Sequence, residues 1–285
     1  MSTITTAPPR VRPTFLFIGA DRCGSKSLHQ IFRQHPKCYV PAIADPYFFD
    51  RHYDRGLDWY LDLFAAAPAG TQAIGEFSHD YIHSAVAAER IAKHFPDIQL
   101  LATLRHPIER AFSSYASAYS AGVIRTTFEQ ALEEVPMLIG NSLYADKLRV
   151  YHKWFPPEQL KVLFFDDLEA DPRTFAGQVF EFLDLPLVDE IDYGQRMSVL
   201  SRSRFPLSGP LSKFGAHTLR KLGWVNLLGT LKSNPRFRAL FYKPYEASDK
   251  PLVLPETRKR LSDIFAPQID ALEKMLGRDL SAWRV

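Results

Sequence analysis

Cysteine is scarce: the 285-residue chain has two, Cys23 and Cys38. A chain of this length can build an adequate core without covalent staples, so a disulfide scaffold is excluded. Two free thiols in a reducing, cytoplasmic compartment are expected instead. Long apolar runs are also missing. No stretch reaches the ~18–20 residues that cross a bilayer, and the opening MSTITTAPPRVRP lacks the apolar core of a signal peptide. The chain reads as soluble or at most peripheral to a membrane, with residues 1–13 a flexible tail and 14–285 a single domain. Strong charge bias is absent, with 35 Lys and Arg against 32 Asp and Glu. That balance falls short of a nucleic-acid-binding signature yet suits an anionic ligand. No set of His, Cys and carboxylates has metal-ligand spacing, so no metal is expected. One stretch has no acid at all: from Arg202 to Lys243 there are nine Lys or Arg and no Asp or Glu. Over 202–250 a basic lid, a membrane-facing surface and a plain solvated face are the readings open.

Strand and helix alternate along most of the chain. TFLFIG (14–19), QAIGEFS (72–78), QLLATLRHP (99–107) and LKVLFF (160–165) are short apolar runs with the look of buried strands. Helical patterns cover 24–34, 85–96 and 108–122, with others at FEQALEEV, SLYADKLRVYHKWFP and PRTFAGQVFEFLDL. Continuous apolar strands between helices predict an α/β fold, a three-layer sandwich around a central parallel sheet.

In such a sheet, ligands gather at the carboxyl ends of the strands. The first strand ends in GADRCGSKS and opens a helix, so amide N–H groups near Gly24 and Ser25, with the helix dipole, predict an anion site. Arg22, Ser25, Lys26 and Ser27 add donors. The loop resembles G-x-x-x-x-G-K-[ST], but its lysine arrives one residue late, about 100° round the helix. Of the strands, LKVLFFDD alone could offer an Asp for Mg²⁺. An ATP-dependent phosphotransferase is therefore the weaker reading. Cys23 is no phosphatase nucleophile either, because the arginine needed six residues on is His29. A second motif, LLATLRHPIERAFSSY, sets Arg105 at a strand end and Ser113 eight residues later. Two helical turns return the hydroxyl towards that end, so the pair can hold a second phosphate. The plain alternative is that Arg105 merely pairs with Glu109.

Together these motifs resemble the PAPS-dependent sulfotransferases (donor 3′-phosphoadenosine 5′-phosphosulfate), in their heparan-sulfate-like, bacterial branch. IGADRCGSKSL is similar to that family's 5′-phosphosulfate loop, and LRHPIERAFSSY to its 3′-phosphate motif. The likeness continues through DPYFFD, GEFSHDY, NSLYADKLRVYHKWFPPEQLKVLFFDDLEADP and LEKMLGRDLSAW. The resemblance implies transfer of a sulfonate from PAPS to a hydroxyl or amine of a carbohydrate, lipid or secondary metabolite, with PAP as product. It places Arg22, Cys23, Gly24, Ser25, Lys26, Ser27, Arg105 and Ser113 around the nucleotide, together with Arg202 and Arg204 at the head of the basic stretch. Asp45 is implied as the carboxylate that deprotonates the acceptor, with Arg22 at the leaving phosphate, Glu76 the second choice of base, and His79 and Asp80, on an expected turn, weaker candidates. Lys26, Phe48, His79 and Tyr144 are implied acceptor contacts. The chain departs from the family at Asp21 for Pro, Ser25 for Thr, Ala44-Asp45-Pro46 for Lys-Glu-Pro and Phe77 for Lys. A catalytically silent module that binds PAPS or PAP is the alternative these departures raise.

Overall fold

The computed structural model describes residues 10–194, 201–203, 242–244 and 252–284. Five strands form its main sheet: β1 (Phe15–Gly19), β2 (Cys38–Tyr39), β3 (Ala73–Phe77), β4 (Gln99–Leu104) and β5 (Leu160–Phe164). Their order is β2-β3-β1-β4-β5, and every neighbouring pair is parallel. The helices are α1 (Ser25–Gln34), α2 (Phe48–Arg51), α3 (Gly56–Leu61), α4 (Ala85–His94), α5 (Pro107–Ser120), α6 (Phe128–Glu134), α7 (Met137–Gly140), α8 (Tyr144–Tyr151), α9 (Phe165–Ala170), α10 (Pro172–Phe182) and α11 (Pro255–Leu276). None of the described helices is long and apolar enough to cross a membrane.

Alternation along β1 builds the layers, because successive side chains leave a strand on opposite faces. Phe15 and Phe17 pack with Leu28, Ile31 and Phe32 of α1 and with Phe175, Val179 and Phe180 of α10. Leu16 and Ile18 face the other way, towards a core that includes Ile91, Leu148, Tyr151, Leu261 and Phe265. The expected three-layer α/β sandwich is the one observed. Phe17 stacks on Phe77 with ring centroids 4.9 Å apart, and each such buried side chain contributes roughly 1.5–3 kcal/mol.

Expected elements end early where a polar group takes over. The third strand stops at Leu104, and Pro107 then occupies the first turn of α5 while the His106 side chain accepts from the Ile108 amide. The last strand stops at Phe164 and α9 follows at once, so Asp166 and Asp167 lie on a helix. Several elements escaped the periodicity: the two-residue β2, the short helices α2, α3, α7 and α9, and the long α11. Ser201–Ser203 and Tyr242–Pro244 pair as the antiparallel strands β6 and β7. Apart from that backbone pairing, the basic stretch 202–250, Arg204 included, lies outside the described residues, as does the Arg202 side chain.

Candidate nucleotide and acceptor site

Two glycines shape the loop after β1. Gly19 adopts φ 147°, and a Cβ there would lie 2.6 Å from the His79 carbonyl oxygen. Gly24 adopts φ 90°, and its Cβ would lie 2.5 Å from Leu168 Cδ2. Glycine suits both positions because the backbone is left-handed and neighbours press on it. α1 then starts without a side-chain cap and without an acid in its first turn. Its first amides and dipole therefore face the loop uncompensated.

Arg22 sits at φ 65°, and its Nε donates to Ser113 Oγ at 3.1 Å, joining residues 91 positions apart. The two motifs thus meet above the carboxyl ends of β1 and β4. Burial lowers the pKa of the Arg22 guanidinium, and the positive charge of Arg105 lowers it further, against the pull of Asp21. Arg105 lies over the Phe165 ring at 4.6 Å. Its alternative partner Glu109 is engaged elsewhere, accepting from Arg258 at 2.9 Å. Among the described residues neither Arg22 nor Arg105 pairs with a carboxylate. Two guanidinium groups near each other, with no carboxylate bonded to either among the described residues, can hold a multiply charged anion.

Asp21 is a negative charge inside that loop, and the fold neutralises it. Arg110, fully buried, donates to Asp21 Oδ1 at 3.1 Å, and His83 Nε2 lies 3.4 Å from the same oxygen. Burial alone would raise the Asp21 carboxyl; His83 and Arg110 outweigh it and hold the group well below the usual carboxylate range. Arg110 also donates to Ser142 Oγ at 2.5 Å and to the Leu138 carbonyl. Sequence reasoning missed Arg110, since no spacing marks an arginine that turns inward from α5, and reads His83, here turned towards Asp21, as a surface or substrate contact. Cys23 is buried, and its thiol, pushed up to about 12 by burial, bonds to the Asp21 carbonyl. Only its backbone remains for a ligand. Ser25, Lys26 and Ser27 form the first turn of α1, with Lys26 exposed.

On the β3 side a strap, residues 40–47, crosses the strand end. His29 Nε2 meets the Pro41 carbonyl at 3.1 Å, the Asp45 amide donates to the Phe77 carbonyl at 2.7 Å, and the Tyr47 amide donates to Ser78 Oγ at 3.1 Å. Asp45, held at φ 63°, places Oδ1 2.6 Å from His79 Nδ1, and both side chains are about a quarter exposed (26% and 27%).

Three expected site residues lie elsewhere. Phe48 is fully buried, stacked on Tyr60 with centroids 4.6 Å apart; it anchors the strap and is closed to an acceptor. Tyr144 is 1% exposed, and its hydroxyl donates to the Arg105 carbonyl at 3.0 Å, bracing the strand end. Glu76 is 1% exposed. It accepts from Ser78 at 2.8 Å and Tyr60 at 3.5 Å, and pairs with neither Arg22 nor Arg105 among the described residues. Burial pushes its carboxyl up to about 8. A neutral acid turned into the core is poorly placed to receive an acceptor proton.

Residues 47–190 match the model of the sulfotransferase family. The chain belongs to that family. Human heparan sulfate glucosamine 3-O-sulfotransferase 3A1 is 32% identical over 205 residues, 65% of this chain and 50% of that protein. Human bifunctional heparan sulfate N-deacetylase/N-sulfotransferase 3 is 27% identical over 299 residues, covering 95% of this chain but 31% of that protein. The chain therefore spans about half the length, or less, of these curated sulfotransferase relatives. In fold it is similar to a sulfotransferase from Alicyclobacillus acidocaldarius, with TM-score 0.70, 24% identity and coverage of 96% of this chain and 100% of that one.

Proposed function

We propose that this sulfotransferase-family chain moves a sulfonate from PAPS to a hydroxyl or amine of a glycan, acting as one domain over residues 14–285. The observation that supports the reading is the 3.1 Å contact from Arg22 Nε to Ser113 Oγ, which brings the two motifs together at the carboxyl ends of β1 and β4. In the proposed site the loop amides from Cys23 to Ser25, with Arg22, Lys26 and Ser27, hold the 5′-phosphosulfate, and Arg105 and Ser113 hold the 3′-phosphate. Arg22 neutralises charge that develops on the leaving phosphate, so positioning and electrostatics supply most of the barrier reduction. The Asp45–His79 pair carries the basic function on the acceptor side. The glycan class rests on the heparan sulfate named in the relatives. A reducing compartment fits the two free cysteines.

The phosphotransferase alternative loses support because the carboxylates it would need for Mg²⁺ are engaged. Asp166 accepts from Trp283 Nε1 at 2.7 Å, and Asp167 forms a two-pronged pair with Arg278 at 2.6 and 2.7 Å. Calorimetry comparing PAP with ATP·Mg²⁺ tests the donor: PAP is expected to bind at least tenfold more tightly. Mass spectrometry of desulfated heparin oligosaccharides incubated with PAPS tests the transfer, and a gain of one sulfonate is expected. Preference for ATP·Mg²⁺ would overturn the reading. PAP binding without transfer to any acceptor in a glycan and small-molecule panel would favour the silent binding module.

A further inference from the structure

The Asp45 carboxylate is already committed to a partner. A carboxylate accepts hydrogen bonds and donates none, so the proton in its 2.6 Å contact with His79 belongs to Nδ1. In the neutral ring Nε2 then presents a lone pair; the Tyr47 hydroxyl lies over the ring, 2.9 Å from Nε2 and 3.4 Å from Nδ1. Nε2 is thus the ring nitrogen left to receive a proton. The ring's position is fixed by backbone: the Ser78 amide donates to the Phe17 carbonyl at 2.9 Å, and the His79 carbonyl presses on Gly19. β3 and β4 flank β1 on opposite sides, so His79 and Arg105 border the loop from its two sides.

We propose that His79 Nε2 is the atom that takes the acceptor's proton, with Asp45 the positioning carboxylate behind it. This rests on the sulfonate-transfer reading above. The acceptor's oxygen or nitrogen forms a bond to sulfur, and the sulfur bond to the bridging phosphate oxygen breaks. Its electron pair leaves on the phosphate, while the acceptor proton passes to Nε2. The resulting imidazolium is held by Asp45, whose charge it neutralises.

The groups facing His79 set its pH response. They are Asp45 and Tyr47 from the strap, Asp80 from its own turn (Nε2 to Oδ1 3.6 Å), and Asp21 from the phosphate loop. Arg51 bonds to Asp80 and lies over the Tyr47 ring at 4.0 Å. Burial would lower the imidazole; the hydrogen bond and charge of Asp45, then Asp80 and Asp21, outweigh it and raise it. A base must be deprotonated to act, so turnover should rise with pH through the imidazole's pKa and level off above it.

The test uses the full chain, PAPS and chemically desulfated heparin, with ¹⁵N NMR of the ring. In the wild type, NMR should find the proton of the neutral ring on Nδ1. His79→Asn should lower kcat by about 10²–10⁴, remove the acidic limb of the pH profile and leave PAP affinity within a few-fold. Asp45→Asn should lower kcat less, move the limb to lower pH and shift the NMR signal towards the other tautomer. The proposal falls if His79→Asn turns over like wild type while Asp45→Asn is dead, which would make Asp45 the direct base. It also falls if wild-type NMR places the neutral proton on Nε2. A wild-type chain that neither binds PAP nor transfers would sink the sulfotransfer reading, and this assignment with it.

Discussion

Arg105 has a partner but no counter-ion among the described residues. Its guanidinium rests on Phe165, while Glu109 is held by Arg258. Arg105→Ala should therefore weaken PAP binding by about 2–4 kcal/mol. Calorimetry would read this, with Glu109→Ala near wild type as the control; equal losses in both would mark Arg105 as structural. Glu76 behaves in the opposite sense. Its folded-state pKa of about 8 lies above the ordinary 4.5, so between those values the folded chain holds a proton that the unfolded chain releases. Stability should fall as pH rises across that window, by on the order of 3–5 kcal/mol in total. Below it both states are protonated, and above it both are ionised. Glu76→Gln should flatten the fall, and urea unfolding at pH 5 and pH 8 would show it; parallel curves for the two proteins would contradict it.

The strap crosses the carboxyl end of β3 at the edge proposed to receive the acceptor. It has little secondary structure of its own, and two of its residues, Asp45 and Tyr47, take left-handed backbone. What holds it are Phe48 and Phe49 in the core and hydrogen bonds to His29, Phe77 and Ser78. Ser78 is fully buried and serves both the Tyr47 amide and Glu76. Ser78→Ala leaves both short of a partner, at a cost of about 1–3 kcal/mol in stability. It should raise KM for the acceptor several-fold with PAP affinity little changed. If PAP binding falls instead and acceptor KM holds, the strap serves the nucleotide side. The Asp21–Arg110 pair plays the corresponding part beneath the phosphate loop, removing an acid from the anion's path by anchoring it to α5.

Across the whole molecule, the segment after α11 packs against β5 and α9. Trp283, 3% exposed, donates to Asp166, and Arg278 pairs with Asp167 while lying over Phe164 at 4.1 Å. These contacts bind the segment after α11 to β5 and α9, whose Phe165 supports Arg105. Trp283→Ala should cost about 3–5 kcal/mol in stability and weaken PAP binding as well, although Trp283 has no assigned nucleotide contact. Denaturation and calorimetry on one variant test both. A stability loss with PAP affinity intact would show that the support for Arg105 does not depend on this packing.

The sequence by itself determined the layered fold and the loop after β1, and its spacing marked Arg105 and Ser113, although in the fold Ser113 bonds to Arg22. Those features are local: apolar runs, a glycine before a helix and an eight-residue spacing survive in one dimension. Only the tertiary structure decided which side chains stay open. Phe48 and Tyr144 read as binding aromatics but are buried, because aromatic residues beside a site and beneath it have the same composition. Arg110 was silent because a buried charge is defined by partners from other elements, here Asp21 and Ser142. Asp45 and His79 are 34 positions apart and became a pair only when the strap crossed β3. Proton transfer depends on contacts of 3 Å or less, and the folded backbone alone sets those distances.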